Sequence, residues 1–330
     1  MKKLDIGLDA SLFNQVNITF DYFRDYRDRI LMKRASFGKL LGYWGSTPWS
    51  NIGEVLNTGF EVSVNWKKQF GKDWQVDFRG NFTYNRNEYK FSDEPNYPYV
   101  WQTETNKPLN RLTGYVAEGL FSSQEEINNW PDQTQLGSKP MPGDIKYRDL
   151  NGDGVIDDYD KMPIGFCDIP EITYGFGGAI EWKGFDVSIF FQGTARVSLF
   201  EEGSTIVPFS SGYKNNDGFL RGVMENRWTV DNPDPNARYP RTIRPSDALD
   251  NNNTKKSSFW VRNAAFLRLK NAEIGYTFPK RWMEKMAIQN LRLYVSGVNL
   301  LTWAPDVHLF DPDLGSGDGR KYPPTRVFNV

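Results

Sequence analysis

The chain has 330 residues, a length that allows two ordinary domains or a single large β domain. Its 40 basic and 41 acidic residues give a formal net charge of −1, so there is no cationic surplus to neutralise a nucleic-acid backbone. The single cysteine, Cys167, excludes an internal disulfide, and the single histidine, His308, argues against a zinc site or a histidine-based triad. We therefore expect no nucleic-acid partner and no thiol, zinc or triad chemistry.

From the sequence we expect neither a membrane helix nor a secretion signal within these residues. No stretch approaches the ~18 consecutive apolar residues that a membrane helix needs, and the start, MKKLDIGLDA, has charges where a signal peptide has an apolar core. A segment of a longer exported protein would show the same features.

Apolar and polar residues alternate along much of the chain, a pattern that predicts β-strands with one apolar face. In chain order, the alternating segments are residues 4–12, 16–22, 60–67, 74–85, 172–182, 185–191, 267–278 and 291–295, with a last strand from Tyr322 to Val330. The alternation slips by one residue near Lys270 and Asn271, which predicts a β-bulge there.

The connections between these strands fall into two length classes that alternate along the chain. The short connections are residues 14–15, 69–72, 183–184 and 279–288, and the long ones are 31–57, 87–170 and 195–258. Outer-membrane barrels have short periplasmic turns and long extracellular loops, with aromatic residues at both membrane interfaces. Trp66, Trp74, Trp182 and Phe185 are near predicted strand ends, as such a girdle requires.

A large soluble β-sandwich is the alternative fold, because its strands also alternate. In a barrel the apolar faces form a continuous band about 25 Å tall against lipid, whereas in a sandwich a second sheet covers them. The opposite, polar face mixes both signs of charge, which favours a polar cargo of low net charge. Its charged residues are Asp5, Asp9, Glu61, Lys67, Asp77, Arg79, Arg268 and Arg292.

The motif DLNGDGVIDDYD at 149–160 has the spacing of a calcium loop. Its expected oxygen ligands are Asp149, Asn151, Asp153, the Val155 carbonyl, Asp157 and Asp160. Gly154 permits the bend, and Ile156 would anchor the loop to apolar neighbours. The last position is Asp instead of the usual Glu, and Pro163 opposes a following helix, so we expect a Ca²⁺ loop without an EF-hand. A loop held by Asx turns without an ion explains the motif equally well.

Aromatic and polar residues of the long loops predict a platform for a sugar or peptide, since aromatic rings stack on sugar faces. The candidate substrate-binding residues are Trp44, Trp49, Trp101, Arg227 and Trp228. Simple packing between loops is the competing interpretation. Adjacent carboxylates such as Asp157 and Asp158 have no defined spacing in space, so we expect no glycosidase or other enzyme.

Several strings resemble the C-terminal barrel region of SusC-type TonB-dependent transporters. In chain order they are FRDYRDRIL, NTGFEVSVNW, GYVAEGLFSSQEEI, PGDIKYRDLNGDGVIDDYDKMPIG, PEITYGFGGAIEWKGFDVSIFFQGT, NAAFLRLKNAEIGYTFP and LRLYVSGVNLLTW. The resemblance implies an all-β protein, an antiparallel barrel of about 22 strands in the outer membrane of a Gram-negative bacterium. It also implies import of oligosaccharides or peptides, energy from TonB and a SusD-type surface lipoprotein as a partner.

The resemblance covers nearly all of residues 1–330, which would supply about the last ten strands of such a barrel. On this interpretation the plug domain, the TonB-contacting segment and the signal peptide lie outside these residues, and outer-membrane lipid surrounds the strands. Val330 would fall part-way through the final strand. The alternative hypothesis is a secreted, calcium-dependent carbohydrate-binding β-sandwich module.

Overall fold

The computed structural model describes residues 1–36, 47–207, 220–242, 252–286 and 288–330. The strands are β1 (Lys2–Leu12), β2 (Val16–Lys33), β3 (Trp49–Phe70), β4 (Trp74–Phe91), β5 (Arg111–Tyr115), β6 (Ala117–Leu120), β7 (Ile145–Tyr147), β8 (Lys161–Cys167), β9 (Ile172–Trp182), β10 (Phe185–Ala195), β11 (Ser198–Phe200), β12 (Val261–Asn263), β13 (Phe266–Thr277), β14 (Arg292–Trp303) and β15 (Val327–Asn329). The helices are α1 (Gln124–Asn128), α2 (Arg221–Glu225) and α3 (Lys280–Met283). Within these ranges, each helix is too short to span a bilayer.

Nine strands form one antiparallel sheet in the order β1-β2-β3-β4-β9-β10-β13-β14-β15. Its short connections are residues 13–15, 71–73, 183–184 and 278–291, and its long connections are 34–48, 92–171, 196–265 and 304–326. Because neighbouring strands run in opposite directions, all short connections lie at one end of the strands and all long ones at the other end. The predicted sorting of loops is therefore confirmed.

The turn at residues 183–184 shows how the sequence forms one of these short connections. Lys183 and Gly184 have φ values of 49° and 91°, and two consecutive positive φ angles are the backbone of the tight turn that suits a two-residue hairpin. Glycine reaches such angles without steric cost, which is why it occupies the second turn position.

On one face of the sheet, five successive rows across six strands are almost entirely apolar. From the long-loop edge the rows are Val62, Phe82, Tyr174, Gly193, Leu267 and Trp303; Val64, Gly80, Phe176, Phe191, Leu269 and Leu301; Trp66, Phe78, Gly178, Ile189, Ala272 and Gly297; Lys68, Val76, Ile180, Val187, Ile274 and Val295; and Phe70, Trp74, Trp182, Phe185, Tyr276 and Leu293. The first and last rows are separated by about 27 Å along a strand at ~3.4 Å per residue, before tilt is considered. We call this face the lipid face.

Side chains of the lipid face are exposed in the protein by itself. Val187 is 43% exposed, Ile189 45% and Ile274 61%, because no second sheet of the described residues covers them. A β-sandwich buries such side chains between two sheets. The antiparallel barrel segment is thus confirmed, and the sandwich interpretation is wrong.

Three details of the strands differ from or refine the sequence prediction. The bulge is confirmed, since β10 pairs with Asn271 and Leu269 and leaves Lys270 between them. The predicted loop 31–57 is too long, because the pairing of β2 with β3 shifts register after Arg27 and then continues to Lys33. That shift breaks the alternation in the sequence without ending the strand. The last strand is shorter than predicted and comprises only β15.

A charge on the lipid face tests this assignment. Ile189 lies in the third of the five rows, so a lysine there would place its ammonium group toward hydrocarbon at a cost of about 2–4 kcal/mol. We expect Ile189→Lys to lower both the amount of assembled protein in outer membranes and its urea midpoint in lipid. The matched control is Ser188→Lys on the opposite face, and equal losses in both variants would contradict the assignment.

Candidate functional site

The face opposite the lipid face is polar, and we call it the polar wall. Near the short turns, the guanidinium of Arg292 contacts Asp186 at 2.5 Å and Glu273 at 2.6 Å, which ties three adjacent strands together. Further along, Lys67 of β3 faces Asp77 of β4 at 3.8 Å. Both signs of charge occur on the wall, as predicted, and much of the charge is neutralised by pairing across strands.

Arg268 attaches a long loop to this wall. Its side chain is only 2% exposed and donates hydrogen bonds to Asp311 at 2.6 Å, to Asp313 at 2.7 Å and to the Thr302 hydroxyl at 3.0 Å. The guanidinium also lies 4.9 Å from the ring centre of Phe266. The acceptors bind the polar edge of the guanidinium, and the Phe266 ring lies against one of its faces. Arg268 therefore holds the loop 304–326 against the wall.

The long loops fold into a unit with its own apolar core, which we call the loop domain: residues 92–171, 196–207, 220–242 and 252–265. Three pairs of strands, β5–β8, β6–β7 and β11–β12, reinforce it. Its buried apolar residues include Leu112, Tyr115, Leu120, Leu136, Ile145, Tyr147, Ile156, Phe200, Ile206, Val223, Trp228, Tyr239 and Trp260. The main hydrophobic core of the described chain therefore lies at the long-loop end, and not within the sheet.

Two buried carboxylates hold the loop domain together. Asp144 is fully buried and accepts hydrogen bonds from Asn253 at 2.8 Å, from Arg241 at 3.1 Å and from the Met141 amide at 2.8 Å. Arg241 and Asn253 are distant from Asp144 in the sequence, whereas Met141 is three residues away.

Glu201 is likewise fully buried, with Arg262 at 2.8 Å and Arg238 at 3.5 Å. An ionised carboxylate in such a place needs charged and hydrogen-bonded partners to offset its desolvation. Arginine is suited to that role because it stays charged when buried.

The 149–160 loop lies on the surface of the loop domain with Ile156 fully buried in the core, as its motif predicts. Its carboxylates accept hydrogen bonds from the loop's own backbone. Asp149 binds the amides of Gly152 at 2.6 Å and Gly154 at 2.8 Å, and Asp160 binds those of Leu150 at 2.7 Å and Asp157 at 2.9 Å. This network is the Asx-turn arrangement that the sequence left open as an alternative.

The remaining members of the loop follow the same rule. The side chains of Asn151, Asp153 and Asp157 accept from amides two residues further along at 2.8–3.1 Å. In the described ranges, no three acidic, histidine or cysteine side chains converge in a geometry that would hold a metal ion. The donor set suits Ca²⁺ in its chemistry, yet the loop as arranged is closed by its own amides. Calcium binding therefore stays a prediction.

Neighbouring groups shift the pKa values of two side chains at this loop, Asp158 and Tyr115. Lys161 contacts Asp158 at 2.6 Å, and its hydrogen bond lowers the pKa of that carboxyl. The Tyr115 hydroxyl donates to Asp158 at 3.4 Å, and burial, followed by the nearby acidic groups, raises the pKa of the phenol. Tyr115 is thus a neutral donor at the base of the loop.

The predicted substrate-binding residues have different surroundings. Trp49 is 60% exposed at the start of β3, and Trp228 is 7% exposed with its ring against Gly143, where a Cβ would lie 2.4 Å from a ring carbon. Arg227 donates a hydrogen bond to the Met224 carbonyl.

Trp101 is half-buried on the loop domain, and Trp44 lies outside the described residues. Trp228 is therefore part of the loop-domain core, with little ring surface left for a ligand. Ligand binding by this set as a whole stays a prediction.

Sequence reasoning missed the aromatic neighbours of Trp101. Tyr99 stacks on Trp101 with ring centres 4.6 Å apart and planes at 5°, and Tyr159 approaches Tyr99 edge-on at 5.9 Å. The Trp101 indole donates to the Tyr159 carbonyl at 2.9 Å, which joins the predicted platform to the calcium-type loop. The alternating aromatics at 97, 99 and 101 are the signal that could have revealed part of this cluster.

Comparisons with known proteins agree with this architecture. No family model matches the chain. Among curated proteins, the TonB-dependent receptor P3 of Formosa agariphila is 30% identical over 317 residues, which are 92% of this chain and 29% of the relative. The TonB-dependent receptor SusC of Bacteroides thetaiotaomicron is 25% identical over 295 residues, which are 84% of this chain and 26% of SusC. The chain thus spans less than a third of the length of these relatives.

Solved structures of a transporter described as the RagAB peptide importer share the fold. One superposes with a TM-score of 0.70 at 21% identity, and the match covers 99% of this chain and 34% of the transporter chain. The chain belongs to the SusC-type TonB-dependent receptors. As a barrel segment of such a receptor, it lies in the outer membrane of a Gram-negative bacterium, with the short turns toward the periplasm and the loop domain outside.

Removing the charge of Asp144 tests the buried network. Asp144→Asn keeps the size of the side chain but leaves Arg241 without its counter-ion. We therefore expect the free energy of unfolding of the loop domain to fall by about 3–5 kcal/mol. The measurement is the rate of limited proteolysis of the long loops in the membrane-embedded protein. Asp231→Asn, at an exposed carboxylate of the same domain, is the control. Equal cleavage rates for parent and Asp144→Asn would contradict the structural role.

Proposed function

We propose that this chain forms part of the wall and outer loops of a TonB-dependent transporter that imports oligosaccharides or peptides across the outer membrane. The observation that carries the proposal is the two-faced sheet, which has apolar rows on the lipid face and a polar wall behind them. Import of polar solutes through a barrel requires this division of side chains. Related proteins named as TonB-dependent receptors and as a peptide importer support the proposal.

The paired charges of the polar wall favour a cargo of low net charge. Lys67, Arg268 and Arg292 each have acidic partners, which neutralises part of the charge along the wall. Paired charges produce a weaker field at a distance than separate ones. A neutral glycan or a peptide of mixed charge fits such a surface better than a highly charged phosphate or ferric chelate.

The loop domain supports a further part of the proposal, a SusD-type lipoprotein as the extracellular partner. A loop region with its own apolar core and buried ion pairs can present a defined surface to another protein. Flexible loops of the same length would have to lose conformational entropy on binding. The relatives named SusC and RagAB favour a partner of this kind.

Growth on defined nutrients tests the import function. A strain that lacks the gene should lose growth on one class of purified oligosaccharide or peptide and keep growth on the matching monosaccharides or amino acids. Complementation with the parent gene should restore growth, and deletion of tonB should abolish it again. Unchanged growth on every oligosaccharide and peptide, with loss of iron uptake, would contradict the proposal.

We also propose that the 149–160 loop binds Ca²⁺ weakly, with a dissociation constant of about 0.1–1 mM, as extracellular calcium modules do. An oxygen that accepts one amide hydrogen bond retains a second lone pair for a cation. The affinity should be low because Asp160, at the last ligand position, is buried and engaged with two amides. The ion would make an outer loop more rigid and have no catalytic role.

Calorimetric titration of the detergent-solubilised protein tests calcium binding. We expect heat that saturates in the millimolar range for the parent and at least a tenfold weaker response for Asp153→Asn. Asp158→Asn is the matched control, because Asp158 is not among the expected ligands and its side chain is 86% exposed. No heat above the dilution blank for the parent would show that the amide-bonded loop needs no ion.

A further inference from the structure

The periplasmic edge of the barrel segment combines aromatic rings and basic side chains. We define the short-turn rim as the described residues 68–74, 182–185, 276–286 and 288–291, which belong to three of the four short connections and their flanking residues. The fifth row of the lipid face runs through it. Trp74 and Trp182 stack with ring centres 5.3 Å apart, and Phe185 contacts Tyr276 at 4.4 Å. Trp182 and Phe185 are paired across β9 and β10, so the four rings form an aromatic band in one row across β4, β9, β10 and β13.

The aromatic band is open to its surroundings. Trp74 is 44% exposed, Trp182 40% and Phe185 51%, although each ring contacts an aromatic neighbour. Trp and Tyr prefer the level of lipid headgroups, where the ring meets the acyl chains and its polar edge meets water. The rim therefore lies at the headgroup level of the periplasmic leaflet.

Basic side chains accompany these rings. The ammonium of Lys68 lies 5.1 Å from the ring centre of Phe70, that of Lys183 lies 5.6 Å from the ring centre of Trp182, and the Arg281 guanidinium lies 5.9 Å from that of Trp282. The basic residues of the rim are Lys68, Lys72, Lys183, Lys280, Arg281 and Lys285, and its acidic residues on or beside the turns are Asp73 and Glu284. The rim is thus strongly basic in a chain whose net charge is −1.

Few of these cations have a counter-ion within the protein. Lys183 faces Asp73 at 3.6 Å, but both side chains are more than half exposed, so water screens the pair. Lys68, Lys280 and Arg281 form no ion pair with any residue in the described ranges. On the polar wall, by contrast, Lys67, Arg268 and Arg292 have acidic partners. Unpaired cations beside an aromatic band suit an anion that arrives from the membrane.

The connection 278–291 has the form of an interfacial segment. It contains α3 and then one 3₁₀ turn, Glu284–Met286, whereas two other short connections are tight turns. Met283 is buried, but Trp282 is 47% exposed and Met286 63% exposed, next to basic residues of the same turn. Apolar side chains that project beside Lys and Arg are typical of segments that lie in the plane of a membrane surface.

We propose that the short-turn rim binds the headgroup phosphate of anionic phospholipids in the periplasmic leaflet. Lys183, Lys280 and Arg281 donate hydrogen bonds to the phosphate oxygens, and the acyl chains lie along the aromatic band and the apolar rows above it. Zwitterionic phospholipid binds less tightly because its ammonium group cancels the attraction. The proposal rests on the position of the chain in the membrane and is independent of the imported cargo.

Native mass spectrometry of the detergent-solubilised receptor tests this site. Phosphatidylglycerol, phosphatidylethanolamine and inorganic phosphate are titrated separately against the parent and two triple variants. We expect the parent to bind phosphatidylglycerol at least tenfold more tightly than phosphatidylethanolamine. The variant Lys183→Gln, Lys280→Gln, Arg281→Gln should lose that preference, since each basic residue contributes about a fivefold factor in affinity.

The matched control carries the same charge change in the loop domain: Lys107→Gln, Lys139→Gln, Arg221→Gln. It should bind both lipids like the parent. Equal affinity of the parent for the two lipids, or an unchanged preference in the rim variant, would overturn the proposal. Competition by millimolar inorganic phosphate would also overturn it, because that result would indicate a free-anion site.

A salt series covers the case in which the rim variant does not assemble. For the parent, the affinity for phosphatidylglycerol should fall severalfold as sodium chloride rises from about 0.05 to 0.5 M, because salt screens the exposed lysines. The affinity for phosphatidylethanolamine should change little. An affinity for phosphatidylglycerol that does not depend on salt would contradict an electrostatic site.

Discussion

Backbone hydrogen bonding in hydrocarbon is the constraint on which the rest of this structure depends. Lipid offers no donors or acceptors, so each strand in the membrane must satisfy its amides and carbonyls with neighbouring strands. The pairing of β3 with β4 runs from Glu54–Phe91 to Phe70–Trp74 and illustrates the result. No second sheet of the described residues buries the side chains of the lipid face. Their alternation is retained because it places apolar groups in lipid and polar groups on the wall.

The loop domain is stabilised in the opposite way. It faces water, so it gains stability by burying Leu120, Ile145 and Tyr147 in a core of its own. Its buried carboxylates join segments that are far apart in sequence, as the bond between Asn253 and Asp144 shows. One chain therefore uses two solvents: a membrane for the sheet and water for the loops. The compact core lies within the long loops, and these loops extend from one end of the strands of the sheet.

Charge placement follows the same division. On the polar wall, Arg292 and Arg268 are paired with acidic side chains, which weakens the electrostatic field of these two cations. At the short-turn rim, Lys280 and Arg281 project beside exposed rings at the membrane surface. The first arrangement suits contact with many polar solutes, and the second suits contact with anionic headgroups.

The amino-acid sequence determined the features that depend on local periodicity. Alternation with a period of two predicted the sheet and its two faces, the slip at Lys270 predicted the bulge, and the spacing of residues 149–160 predicted a tight acidic loop with Ile156 inward. The lengths of the loops predicted that the short connections lie at one end of the strands and the long connections at the other. Each of these signals resides in a short stretch of chain, so no knowledge of distant contacts was needed.

Only the tertiary structure decided what depends on contacts between distant segments. The register shift after Arg27 hid the extension of β2 to Lys33, because pairing with β3 maintains a strand whose alternation has slipped. Trp228 could be assigned to the loop-domain core only once Gly143 was seen beneath its ring, and Trp101 to the calcium-type loop only through Tyr159. The sequence specifies side-chain chemistry and local period, whereas neighbours from elsewhere in the chain determine whether a ring is buried or a carboxylate is engaged.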